Sequence, residues 1–226
     1  MPTNTAPKAA KRRERPLSRD RIIEAALALA DDRGNFSMRG LGARLHVDPM
    51  AIYRHFRDKD ALQNAMVEAA LAGFAPPPKS GPPIERLRQM CQGLRVAIGK
   101  HPGTGLRAAT TLLNFSPRSL ELTEAALALL AEIGLDHDEA ALAYLSLIRF
   151  ISGVESAADQ LRAAGRKEDE LREAMRDGYS SVSPDVFPHV SEIAENLSSK
   201  DFDEQFEFGV NTLLAGFVAT KTKKAI

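Results

Sequence analysis

The sequence predicts an all-α protein, with a small N-terminal three-helix unit and a larger helical body. Three observations carry that expectation. Ala and Leu dominate the 44% of hydrophobic residues, Trp is absent, and β-branched residues are not enriched; Ala and Leu lose little rotamer freedom in a helix. Apolar residues recur at three- and four-residue steps in segment after segment, with no alternating strand pattern of useful length and no internal repeat. A stretch with five prolines in nine positions, "APPPKSGPP" at 75–83, cannot continue a helix and marks a stiff connector.

In chain order, residues 1–17 read as a disordered basic arm, rich in Pro, Thr, Ala and Lys/Arg with little to bury. Residues 18–74 form the first domain. Ile23, Ala26, Leu27 and Ala30 define a helix from Arg19 to Arg33, and Gly34 sits where a helix-ending glycine belongs. Ser37 caps a second helix, with Met38, Leu41 and Leu45 on one face. Asp48 then caps a third, and Pro49 falls at its first position, where a missing N–H costs nothing. That helix is expected over 49–56, with Ile52, Tyr53 and Phe56 as its apolar contacts. Asp58 caps a fourth, which buries Leu62, Ala65, Met66 and Ala69.

Residues 84–222 are expected to form the second, larger domain. Helices are expected over "PIERLRQMCQGLRVAIGK", "TGLRAATTLLNF", "SPRSLELTEAALALLAEIG", "DHDEAALAYLSLIRFISGVESAADQLRAAG" and "DFDEQFEFGVNTLLAGFVATKT". "EDELREAMRDG" reads as a charged half-turn or short helix, and "SSVSPDVFPHV" as loop.

The net charge of the 226 residues is zero, with 30 basic and 30 acidic side chains, but the distribution is uneven. Residues 1–60 hold 13 Lys and Arg against 8 Asp and Glu, which leaves 17 against 22 for the rest. A basic front on an acidic body suggests two jobs, although modest asymmetry is also ordinary surface chemistry. A single cysteine, Cys91, excludes an internal disulfide framework and fits a reducing compartment; among apolar helical neighbours it reads as a small buried hydrophobe. No signal-peptide pattern and no bilayer-length apolar run is found, so a cytoplasmic protein without a membrane partner is expected. His137 beside Asp136, Asp138 and Glu139 is explained by helix capping, because adjacent residues do not converge on a metal. No phosphate loop, nucleophile elbow or zinc spacing is present; no enzyme activity, metal or cofactor is expected.

Two short helices joined by a tight turn form a helix-turn-helix pattern, and the exposed face of the second carries Met50, Ala51, Arg54 and His55. A helix fits the major groove of DNA; Arg pairs with guanine edges or phosphate, and Ala or Met touches a thymine methyl. Lys59, opening the next helix, can hold a phosphate together with the helix N-terminal N–H groups. Packing alone would also account for Tyr53 and Phe56.

The stretch "IIEAALALADDRGNFSMRGLGARLHVDPMAIYRHFRDKDAL" resembles the DNA-binding region of TetR-family transcriptional regulators. Ile23, Ala26, Leu29, Gly34, Ser37, Leu45, Val47, Tyr53, His55, Phe56, Lys59 and Leu62 carry the likeness, over about forty residues without a gap. The resemblance implies a DNA-binding set of Ser37, Arg39, Met50, Ala51, Tyr53, Arg54, His55 and Lys59: Arg39 at a position that in some members reads a base, Tyr53 and Lys59 at phosphate positions, His55 at the backbone or a base edge. His46 stands where glycine is usual; a left-handed backbone there costs about 1 kcal/mol. Gly40 and Gly42 lie inside the supporting helix, where each costs up to about 1 kcal/mol relative to Ala.

The body resembles the C-terminal domain of the tetracycline-repressor branch, through "LRVAIGKHPG", "ALALLAEIGLDHDEAALAYLSLIRFISG" and "FEFGVNTLLAGF". The likeness implies an effector pocket, for which Met90, Leu94, Leu112, Leu113, Phe115, Phe150 and Glu155 are candidate liners, and a homodimer on a palindromic operator. Helices near 138–160 and 202–220 are the best candidates to pair across the two-fold through Ala140, Tyr144, Leu147, Ile148 and Ile151 on one and Phe206, Val210, Leu213, Leu214 and Phe217 on the other; the alternative is burial in the chain's own core, which some of these residues must serve. Ala108 aligns with the histidine that holds magnesium in tetracycline-binding members, and His101 with a different position, so tetracycline is not the expected ligand. The leading function is a repressor released by an unidentified small molecule. An all-α enzyme or carrier, or an architectural DNA binder without effector, are the alternatives.

Overall fold

The computed structural model describes residues 16–33, 36–74, 76, 80–101 and 117–224. All regular structure among them is helical. Four helices make the N-terminal part: α1 (Arg19–Arg33), α2 (Met38–Leu45), α3 (Pro49–Tyr53) and α4 (Lys59–Leu71). The body contains α5 (Pro83–Gly99), α6 (Pro117–Ile133), α7 (His137–Ala163), α8 (Glu168–Ser180), α9 (Pro188–Glu192), α10 (Ala194–Ser199) and α11 (Phe202–Lys224). The expected helix "TGLRAATTLLNF" lies outside the described residues.

Two apolar cores organise the chain. Ile22, Ala26, Leu41, Leu45, Ile52, Phe56, Leu62 and Met66 close the N-terminal core. Leu87, Met90, Leu129, Leu130, Leu147, Ile151, Phe206, Val210 and Leu214 belong to that of the body. The division falls inside α4. Its first turns bury Leu62 and Met66 in the N-terminal core, whereas Val67, Leu71 and the following Phe74 enter the body core. Gly93 on α5 makes room for this junction, because a Cβ there would overlap the Phe74 ring. An Arg118 guanidinium N–H from α6 donates to the Phe74 carbonyl. α4 is thus gripped at both ends by different units.

Capping follows the sequence. Asp58 Oδ1 accepts from the Ala61 N–H at 2.7 Å. At α7, Asp136 and Glu139 form a reciprocal capping box, which is the role those acidic residues play around His137. α7 is long and apolar enough to cross a bilayer by length and composition alone; here it packs against α5, α6 and α11.

Three expectations are corrected. The third helix ends at Tyr53 instead of 56, with Arg54 and His55 in a turn. Phe56 has to enter the core, and Arg19 fixes the turn by donating to the His55 carbonyl at 2.5 Å while its guanidinium lies 4.2 Å from the Phe56 ring centre. The charged stretch from 168 forms a full thirteen-residue helix with no buried residue, held against α10. The residues proposed to pair across a two-fold mostly face inward. Ala140, Leu147, Ile151, Phe206, Val210 and Leu214 are buried within the chain, because α7 and α11 must cover α5 and α6 before any partner arrives. Tyr144 and Ile148 turn to an internal cavity, and Leu213 and Phe217 pack half-buried on the body core.

Arg95 on α5 ties the body together from within. Its guanidinium donates to Glu155 on α7 and to Asp203 on α11, each at 2.7 Å, and lies 4.5 Å from the Phe206 ring centre. These carboxylates hold the guanidinium above its ordinary pKa against the desolvation that opposes charge.

Candidate DNA-reading surface and effector cavity

α2 and α3 are separated by His46, Val47 and Asp48. Ser37 Oγ accepts from the Gly40 N–H at 3.0 Å and so starts α2. Gly42 lets that helix close on the turn: a Cβ there would stand 3.0 Å from the Val47 carbonyl oxygen and 3.1 Å from Pro49 Cγ. His46 adopts φ 57 and ψ 40, and its N–H reaches the carbonyls at the end of α2. Asp48 Oδ1 accepts from the Met50 N–H at 2.8 Å, with Pro49 at the first helical position. The left-handed conformation of His46 lets one substitution probe the turn. His46→Gly is expected to stabilise the protein by about 1 kcal/mol. It should raise the urea midpoint without changing the slope; a lowered midpoint would mean that the imidazole itself holds the turn.

α3 presents a divided surface. Ile52 is fully buried under it, as is Phe56 after it. Met50 is 66% and Tyr53 40% exposed. Arg54 is exposed, and Ala51 and His55 are half-buried. Ser37 and Arg39 on the α2 side are exposed too. Lys59 opens α4 with its ammonium 5.1 Å from the Phe36 ring centre. The eight residues singled out by sequence therefore lie on the helix-turn-helix and at its exit. Residues 1–15 of the basic arm lie outside the described part. Arg19, which pins the end of α3, was not singled out; its spacing of 36 residues from His55 leaves no local signal.

The body holds a half-open cavity of about 240 Å³ between α4, α5, α6 and α7. Met90 and Leu94 line it, whereas Leu112, Leu113 and Phe115 lie outside the described residues, as does Ala108. Phe150 and Glu155 do not line it. Phe150 stacks on Phe206 with ring centres 6.2 Å apart, and Glu155 is held by Arg95. Sequence reading missed Val67 and Leu71 of α4 and Phe74 just after it, which form part of the wall. Their spacing of four and three residues was visible, but it marks a second stripe beside the one facing the N-terminal core.

Cys91 also faces the cavity, and burial pushes its thiol up to about 12, so it stays neutral. No carboxylate or imidazole stands among the described lining residues, and the set does not offer the oxygen and nitrogen ligands a divalent cation takes. His101 reaches α1 instead, with Nδ1 3.3 Å from Asp31 Oδ2. Burial raises the Asp31 carboxyl above its ordinary range, and His101 pulls it back down.

An outward helix-turn-helix seated on a helical body with an apolar cavity defines a ligand-responsive DNA-binding regulator. Residues 22–66 match the model of bacterial regulatory proteins of the tetR family, and residues 75–221 that of the tetracyclin repressor-like C-terminal domain. The chain belongs to the TetR family: it is a DNA-binding repressor controlled by a small-molecule effector. It is 28% identical to the class E tetracycline repressor protein of Escherichia coli, over 92% of this chain and 94% of that one. It is 26% identical to the repressor DrrR1 of Streptomyces coeruleorubidus, over 88% and 77%. Among solved structures, ActR of Streptomyces coelicolor with bound actinorhodin superposes with a TM-score of 0.79 at 25% identity, covering 92% of this chain and 99% of that one.

Proposed function

We propose that the protein binds a palindromic operator as a homodimer, α3 of each copy entering the major groove, and that an effector in the body cavity releases it. The observation that carries this reading is the divided surface of α3: Ile52 anchors it from beneath while Met50, Tyr53 and Arg54 face outward. Arg54 reads a base edge, Tyr53 and Lys59 bind phosphates, Met50 and Ala51 contact thymine methyl groups, and Ser37, Arg39 and His55 flank them. Two copies place their α3 helices one turn of DNA apart, about 34–36 Å.

Coupling runs through α4. Its N-terminus carries Lys59, and Val67 and Leu71 at its other end, with Phe74 just beyond, touch the cavity. An effector that fits better when this wall is displaced shifts α4 and misaligns the paired α3 helices; it acts only through such differential affinity. The body is read as ligand-binding and not catalytic. ActR binds actinorhodin according to its structure, which supports a small-molecule effector for a cavity of related build. The chain is read as a cytoplasmic protein, as its role on DNA requires.

The test is a gel-shift titration on fragments from the chain's own genomic neighbourhood, with footprinting of the bound site. Arg54→Ala is expected to weaken specific binding by about 1–3 kcal/mol and relax the preference at one base pair. Lys59→Ala should weaken all sequences evenly and lower the salt slope by about one. An unchanged shift in both variants would move the interface away from α3.

A further inference from the structure

We infer that the cavity selects an uncharged, mainly apolar molecule carrying one hydrogen-bond donor, a phenol or alcohol, received by Tyr144 and Thr123. The inference rests on reading the cavity as the effector site and names the chemistry that site takes. Apolar side chains make up most of the wall, and its described polar members are hydroxyl groups and a neutral thiol. A charged ligand would surrender its hydration to that wall without a countercharge, at a cost of several kcal/mol.

The direction of the hydrogen bonds sets the ligand's polar group. Thr123 Oγ1 lies 2.9 Å from the Ser119 carbonyl oxygen, which can only accept, so the threonine donates its one hydroxyl proton there. Thr123 Oγ1 is also 2.7 Å from Tyr144 Oη. With the threonine proton already placed, the tyrosine must be the donor in that pair. Both hydroxyl protons of the pair are then committed, and what Thr123 and Tyr144 offer inward is lone pairs. Apart from Thr123, no side chain among the described residues is hydrogen-bonded to Tyr144 Oη. The pair therefore favours a molecule that brings a proton over one whose oxygen only accepts. Size agrees with a two-ring body: an apolar cavity of about 150 Å³ holds a single benzene, and this one measures about 240 Å³.

Three probes of one shape test the inference by titration calorimetry on the full-length protein at neutral pH: 1-naphthol, its methyl ether 1-methoxynaphthalene, and the anion 1-naphthoate. 1-Naphthol is expected to bind about tenfold more tightly than the ether, the worth of one hydrogen bond, and the anion more weakly than both. The double variant Tyr144→Phe, Thr123→Val removes both hydroxyls together while keeping shape, a change that is nearly neutral for stability. In it the naphthol-to-ether ratio should fall to within about twofold of one. Equal binding of naphthol and ether to the unaltered protein, a preference that survives the double variant, tightest binding of the anion, or no binding of any probe would each overturn the inference. No DNA enters the measurement. A protein that shows the naphthol preference yet fails to retard operator DNA would sink the repressor reading and leave this one standing.

Discussion

Phe208→Asp is expected to split the dimer and abolish operator binding while leaving the subunit folded. Phe208 is 75% exposed on α11, the most exposed large hydrophobic group among the described residues. Thr212, Ala215 and Ala219 continue the same face at helical steps of four, three and four, all exposed. On the adjacent α7, Leu142 is 68% exposed and is followed at the same steps by Ser146, Arg149 and Gly153. Two helices packed on each other thus each carry an exposed row with one large apolar residue in it. In a two-fold interface the substitution acts twice, once per subunit, and a buried aromatic anchor is commonly worth about 2 kcal/mol or more. Without the dimer each α3 must find its half-site alone. The loss of effective concentration weakens binding by about 10²–10⁴. Sedimentation at micromolar protein and a gel shift read the two effects separately, and circular dichroism checks the fold. A Phe208→Asp protein that remains dimeric would place the interface elsewhere on the body.

The second large effect is on stability. Arg95→Met should destabilise the protein by about 3–5 kcal/mol, the range for removing one partner of a buried ion pair. The Glu155 side chain is only 7% exposed, and Arg95 at 2.7 Å is the cation beside it. Methionine fills much of the volume but leaves that carboxylate without its countercharge. Asp203, 83% exposed, loses little. Breaking the outer contact alone, as Asp203→Asn, should therefore cost under about 1 kcal/mol. Urea unfolding of the two variants side by side checks the order. Equal losses would show that the outer contact matters as much as the buried one.

Much of the fold was legible because its signals are local. Asp48 before Pro49, Asp58 before α4 and the Asp136–Glu139 capping box declare helix starts within four residues of chain. Apolar steps of three and four set the faces of the long helices, and the left-handed turn at His46 falls where the family pattern expects glycine. The length of α3 was not legible, because Arg19 stops it from 36 residues away. Nor could periodicity divide one apolar stripe between two destinations. On α7, Leu147 and Ile151 go to the core while Leu142 stays outside. On α4, Met66 and Val67 are neighbours in sequence but belong to different cores. Phe150 and Glu155 looked like cavity residues, yet a stacked ring and a half-buried arginine take them out of it.

Sequence alone determined the helices, the outward-facing α3 and the family, because caps, turns and helical periodicity depend on residues a few positions apart. The tertiary structure decided which apolar faces meet inside the chain and which stay open, where α4 bridges two cores, and that Thr123 and Tyr144 meet in one corner of the cavity. Those outcomes depend on which distant helices compete to cover the same surface, and no local pattern records the winner.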